Sequence, residues 1–366
     1  MGEHGHNIPS LDGYRATAAM LVFVSHAGWG DIIPGGFGVT VFFFLSGYLI
    51  TTLLRREYDT TGHINLRHFY LRRACRILPP MYLVLAAIFA LGKAGVVPDN
   101  ARWPGVLAQI VHVTNYYVLA EGDGSLVFAT GLFWSLAVEE HFYLLFPLLL
   151  RACAGRWAPA RTAGLLLAMC AATLLWRYAL VLLWDAPPNR TYLATDTRLD
   201  SLLFGCIMGL WHNPVMDRAV RPPPRAALLA VLAGAVATLL LTFLLRDAVF
   251  RATVRYTLQG CALFPLFWLA VKYPRWPLFR PLNLPLVKAM GTLSYGFYLC
   301  HLLWINIGQA LLPHHRLGAA ALAFMGSLAS AYLLHQGVER PFERLRRQLH
   351  EDGGRAGADG RREPLR

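Results

Sequence analysis

Arg15 and His26 stand eleven positions apart inside an apolar stretch that runs from Tyr14 to Ala27. Eleven residues of α-helix make about three turns and roughly 16 Å of rise, so the two side chains project from nearly one face. A charge at the centre of a membrane helix costs about 2.5–3.5 kcal/mol even on the lenient insertion scale. Residues kept at that cost face the protein interior and mark a path or a site. The pair therefore reads as a polar track with a titratable imidazole, the commonest general base, at one end. Asp12, one turn before Arg15, is a candidate ion-pair partner. The plainer readings are an interfacial histidine at a helix end and a salt bridge at a helix start.

Other polar residues interrupt apolar runs in the same way. Arg72-Arg73-x-x-Arg76-x-x-Pro79 leads into the third apolar segment, with Tyr82 beyond it. Guanidinium groups match phosphate bidentately, which makes Arg72, Arg73, Arg76 and Tyr82 the candidate cofactor-binding set. Clustered arginines also fix topology or bind lipid headgroups. The run from Phe133 to Tyr143 carries Glu139 and Glu140, which point about 100° apart on a helix. One of them should face inward and orient a histidine or an arginine. Arg198 and Asp200 open a later segment and are candidate substrate contacts, or only part of a helix cap. Ser294, Tyr298 and His301 are spaced four and three, share one helix face, and are candidates for the same role or a polar packing seam. Ser46-Gly47 reads as a close helix approach. The six cysteines are scattered without a C-x-x-C pair, so neither a disulfide framework nor a zinc site is expected.

The elements that must hold these residues are membrane helices. The 366-residue chain is 56% hydrophobic and only 15% charged, against roughly 25% charged in a soluble domain. Apolar runs of helix-spanning length recur from end to end, which implies an all-α polytopic membrane protein. The net charge of +13 would point to nucleic acid in a soluble protein, but no nucleic-acid motif is present. The positive-inside rule explains it better.

Eleven apolar segments stand out: 12–28, 37–54, 77–92, 104–120, 131–150, 162–184, 197–212, 226–245, 252–271, 289–312 and 317–338. The loop 55–76 carries Arg55, Arg56, Arg67, Arg72, Arg73 and Arg76, so it should be cytoplasmic. If 104–120 is a peripheral or re-entrant helix rather than a span, 24 of the 34 Lys and Arg fall inside and 7 outside. The expectation is about ten transmembrane helices with both termini cytoplasmic. Arg15 then lies toward the cytoplasm and His26 toward the outer face. Residues 1–340 form the membrane domain, followed by a basic cytoplasmic tail over 341–366, disordered at its end.

In combination and in order, seven stretches resemble the acyltransferase type 3 family of integral membrane O-acyltransferases. They are Leu11-Asp12-Gly13-Tyr14-Arg15-Ala16 with His26; Gly38-Val39 through Leu45-Ser46-Gly47-Tyr48-Leu49; Arg72-Arg73-x-x-Arg76-x-x-Pro79; Trp134-Ser135-Leu136-x-x-Glu139; Thr197-Arg198-x-Asp200; Ser294-Tyr295-x-x-Tyr298-Leu299-x-His301; and Glu339-x-Pro341. The resemblance implies transfer of an acyl group, often acetyl, from cytoplasmic acyl-CoA to a hydroxyl. Typical acceptors are sugars of lipopolysaccharide, exopolysaccharide or peptidoglycan, lipid-linked glycans, nodulation factors and macrolides. It implies a bacterial cytoplasmic membrane location and no metal, with a carbohydrate or lipid-linked acceptor and glycan-assembly proteins as candidate partners.

Under this resemblance Arg15 guides the donor. His26 acts as the base or carries the acyl group, and Glu139 or Glu140 fixes the imidazole tautomer. Thr40 is a departure, because relatives often have an acidic residue after Gly-Val. Many relatives also carry an extracytoplasmic hydrolase-like domain. The short stretch after the last apolar segment leaves no room for one, so action alone or with separate partners is expected. The alternative readings are O-acylation of a macrolide-type secondary metabolite and a non-enzymatic glycolipid or metabolite transporter, since intramembrane Arg, His and Glu also build substrate paths.

Overall fold

The computed structural model describes residues 8–217 and 223–344. Among these the secondary structure is helical throughout, with no strand. In chain order the helices are α1 (Leu11–Val24), α2 (Gly35–Thr61), α3 (Leu66–Lys93), α4 (Trp103–Ile110), α5 (Thr114–Glu121), α6 (Phe133–Cys153) and α7 (Pro159–Leu183). They continue as α8 (Pro188–Leu193), α9 (Thr195–Leu210), α10 (Arg225–Leu244), α11 (Ala248–Ala252), α12 (Val254–Lys272), α13 (Pro285–Leu311) and α14 (Arg316–Leu334). Two π-helical turns extend this set: Ser25–Trp29 prolongs α1 and His335–Glu339 prolongs α14.

Seven of the described helices are long and apolar enough to cross a membrane: α2, α3, α6, α7, α10, α12 and the helix over 316–344. The chain is therefore a multi-pass membrane protein. Three further apolar segments are also helical, as α1, α9 and α13, but α1 and α9 have only 14 and 16 residues. The segment 104–120 is broken into α4 and α5 at His112, whose φ is 59°. Each piece has eight residues, about 12 Å of helix, against a hydrocarbon core of about 30 Å. The tail expected over 341–366 lies outside the described residues from 345 onward.

Burial sorts the helices into a core and a rim. In α2, 72% of the most apolar window is buried, whereas in α10 the figure is 17%. The outward leucines of α7 and α10, such as Leu182, Leu183 and Leu244, are exposed and suit contact with lipid. The core forms where glycines let backbones meet. A Cβ on Gly205 of α9 would strike the carbonyl oxygen of Phe44 on α2, and one on Gly47 would strike that of Leu202. Small residues of this kind are what membrane helices pack through. Gly291 similarly seats α13 against the Asp12 carbonyl of α1. Thus α1, α2, α9 and α13 stand together at the centre.

A buried ion pair locks α9 to two neighbours. Arg177 of α7 donates to both carboxylate oxygens of Asp200, at 2.9 and 2.6 Å, and both side chains are fully buried. Arg177 also donates to the Thr253 and Thr197 carbonyls, and Thr257 of α12 donates to Asp200 at 2.7 Å. Every acceptor in this cluster has a donor, the condition under which a buried pair is tolerated.

Candidate active site

His26 sits in the π-helical turn at the end of α1. Wide turns of this type are rare and cluster at functional sites. Gly28 in the same turn has φ 106°, a left-handed value that suits glycine. His26 is exposed, and its Nδ1 lies 2.9 Å from Nε2 of His301 on α13. The rings stack with centroids 5.1 Å apart. His301 is almost wholly buried, and its Nδ1 lies 2.6 Å from the Tyr298 carbonyl oxygen.

This chain of contacts assigns the tautomers. A carbonyl oxygen only accepts, so Nδ1 of His301 carries a hydrogen. In the neutral ring its Nε2 is then an acceptor. Nδ1 of His26 must therefore donate to it, which leaves Nε2 of His26 with a free lone pair. That is the form a general base needs. The partner expected for His26 was Glu139 or Glu140; in the structure the side chain against its ring is that of His301.

At the other end of α1, a cavity of about 510 Å³ opens between α1, α2, α3, α6, α13 and the end of α14. This volume lies within the range of ligand pockets. Arg15, Arg73, Arg76, Glu139 and Glu140 line it, and Arg15 is paired with Asp12 at 2.7 Å as its spacing implied. Arg73 rests over the Tyr143 ring, 5.1 Å from its centroid, and neither Arg73 nor Arg76 joins an ion pair among the described residues. Glu139 accepts from Ser46 Oγ at 3.1 Å and from Tyr143 Oη at 2.7 Å. Glu140 lines the cavity beside it.

Ser135, Ser294 and Tyr298 complete the wall. Tyr298 Oη and Ser135 Oγ are 2.7 Å apart, and Tyr298 packs against His301 with ring centroids 5.5 Å apart. Arg15, the cavity, Tyr298, His301 and His26 thus form one contiguous sequence of contacts.

Four expected site residues lie elsewhere. Arg72 is turned to Glu57 at 3.2 Å and does not line the cavity. Tyr82 donates to the Ile110 carbonyl at 2.8 Å, next to α4. Asp200 is sealed in its pair with Arg177 and is not open to substrate. Arg198 is also fully buried. It donates at 2.9 Å to the Oγ1 of Thr40, the residue noted in the sequence as a departure from the acidic side chain of the resemblance. Three lining residues went unassigned to the site in the sequence, Ser46 and the pair His335 and Glu339, whose atoms meet at 2.7 Å across the second π-helical turn. The four-residue spacing of that pair was the available signal.

Residues 8–336 match the family model described as an acyltransferase domain. The chain is similar to the peptidoglycan O-acetyltransferase OatA of Listeria monocytogenes serovar 1/2a, at 28% identity over 310 residues, covering 80% of this chain and 49% of that protein. A putative O-acetyltransferase of Staphylococcus aureus strain COL is 29% identical over 309 residues, covering 80% and 50%. The O-acetyltransferase OatA of Staphylococcus aureus strain NCTC 8325 is 34% identical over 217 residues, covering 57% and 35%. The chain spans about half the length of the first two of these relatives. No solved structure matches it.

Proposed function

Because this chain belongs to the acyltransferase type 3 family, we propose that it is a membrane O-acyltransferase moving an acetyl group from acetyl-CoA to a glycan hydroxyl. One observation carries the reading: an imidazole with its tautomer fixed adjoins, through His301 and Tyr298, a cavity bearing two arginines that join no ion pair among the described residues. Ten crossings with both ends cytoplasmic, in a bacterial cytoplasmic membrane, complete it. The cavity then faces the cytoplasm and His26 faces outward. Partners in this reading are acetyl-CoA, a carbohydrate or lipid-linked acceptor, and the bilayer.

The donor's phosphates sit against Arg73 and Arg76, whose forks suit them. Its thin pantetheine arm runs past Arg15 toward Ser135 and Tyr298. Nε2 of His26 takes the proton of the acceptor hydroxyl, and the oxygen attacks the thioester carbonyl. The C–S bond breaks, and the leaving thiolate takes the proton from the imidazolium. His301 stabilises that imidazolium through the hydrogen bond at Nδ1. The same lone pair also suits direct attack on the thioester, giving an acyl-histidine.

The test is transfer of labelled acetyl from acetyl-CoA by the purified protein in lipid nanodiscs, with a neutral or acidic oligosaccharide as acceptor. Replacing a general base costs about 10²–10⁴-fold in rate, and His26→Ala should fall in that range. The double variant Arg73→Ala, Arg76→Ala should raise the KM for acetyl-CoA with a smaller change in kcat. Full transfer by His26→Ala overturns the proposal. Label trapped on His26 after a rapid quench selects the acyl-histidine route.

A further inference from the structure

A second cavity, of about 600 Å³, opens at the opposite end of α1 from Arg15. It is walled by the starts of α2 and α12, by α8 and α11, and by the end of α10. Ser25, the residue before His26, is in its wall. Its charge is one-sided: Arg246, Arg251 and Arg255 line it against Asp31 alone. Arg246 donates to the Asp31 backbone carbonyl at 3.2 Å rather than to the carboxylate.

The wall behind these residues is cationic too. Tyr256 lines the cavity between two guanidinium groups, with Arg198 4.2 Å and Arg255 4.9 Å from its ring centroid. The Nε atoms of both arginines are buried and have no hydrogen-bond partner among the described residues. Nearby, Arg177 and Arg190 have their own carboxylates, Asp200 and Asp196. Among the described residues Arg198, Arg251 and Arg255 join no ion pair. Of these Arg198 is fully buried and Arg255 half-buried, and a buried charge left unneutralised is costly and calls for a partner. The positive-inside rule does not account for them, because three of the seven basic residues assigned to the outer side fall in 246–255.

We infer that this cavity is an anion-recognising acceptor site, taking a saccharide that carries a carboxylate or a phosphate, with Arg251 and Arg255 as the recognising residues. Aromatic Tyr192 and Tyr256 in the same wall suit a sugar face. The inference rests on the proposed transfer reaction and deepens it by naming the acceptor class.

The test uses three fluorescent probes bound to the purified protein in nanodiscs. They are a tetrasaccharide alternating glucuronate and N-acetylglucosamine, chitotetraose 1-phosphate, and neutral chitotetraose. At least one anionic probe should bind about tenfold or more tighter than the neutral one, as expected for a charge-assisted contact. Which one binds tighter separates carboxylate from phosphate. Arg251→Gln and Arg255→Gln should each reduce that preference, whereas Arg251→Lys should keep most of it. Arg251 is exposed, so its replacement leaves packing in place, and unfolding temperatures check this. Equal binding of all three probes overturns the inference, and so does an unchanged preference in the Arg251→Gln, Arg255→Gln double variant. His26→Ala should lose transfer while retaining the preference. Full transfer by His26→Ala would remove the reaction, and the probe comparison would still decide the anion site.

Discussion

An imidazole works as a base only while one ring nitrogen keeps its lone pair, and here that condition depends on the residue behind it. His301→Phe would remove the acceptor for His26 Nδ1. We expect acetyl transfer to fall by about 10²-fold, within the range for a general base, with the KM for acetyl-CoA little changed. His301→Asn, whose amide oxygen accepts a hydrogen bond, should recover part of the rate. Rates of labelled acetyl transfer at saturating acetyl-CoA check both. Arg177→Ala would leave Asp200 charged and buried, which typically costs about 3–5 kcal/mol. The expected result is a markedly lower unfolding temperature in detergent. Stability unchanged from the parent chain would show that Asp200 is not held as described.

These two residues also show what the sequence makes legible. The spacing of Ser294, Tyr298 and His301 does place them on one face of α13. Spacing along one helix does not reveal which other helix that face meets, so His301 was read as a substrate contact and not as the partner of His26. Asp200 has the same history, since its arginine comes from a different helix, 23 positions earlier.

At the scale of elements, apolar length and charge located the helices well. Ten of the eleven apolar segments are helical in one piece or nearly so, and the one marked as peripheral is broken at His112. Hydropathy sees these because it sums over many residues. It does not see a π-helical turn, which depends on local hydrogen bonds around Ser25–Trp29, or the closeness of α2 to α9. Ser46-Gly47 gave a hint of that closeness, and Gly205 completes it from the other side. Gly205→Ala would force a methyl group onto the Phe44 carbonyl. Overpacking of this kind costs about 1–3 kcal/mol, readable as a lower thermal midpoint and a smaller folded yield. A midpoint equal to that of the parent chain would mean that the two helices separate easily.

For the whole molecule, the arginine distribution predicts the side on which each loop lies. A reporter fused after Glu121 should signal the outer compartment, and one fused after Arg156 the cytoplasm. A cytoplasmic signal after Glu121 would overturn the ten-crossing topology. The two cavities at opposite ends of α1 have a consequence for energetics. In the proposed reaction neither CoA, with its several charges, nor a bulky glycan would have to traverse the bilayer; only a two-carbon group would change sides, and the thioester it leaves would supply the driving force. Under that proposal the protein would need no ion gradient. Sealed vesicles treated with an uncoupler should acetylate at an undiminished rate, which sets such a protein apart from a gradient-driven pump built of the same intramembrane arginine, histidine and glutamate.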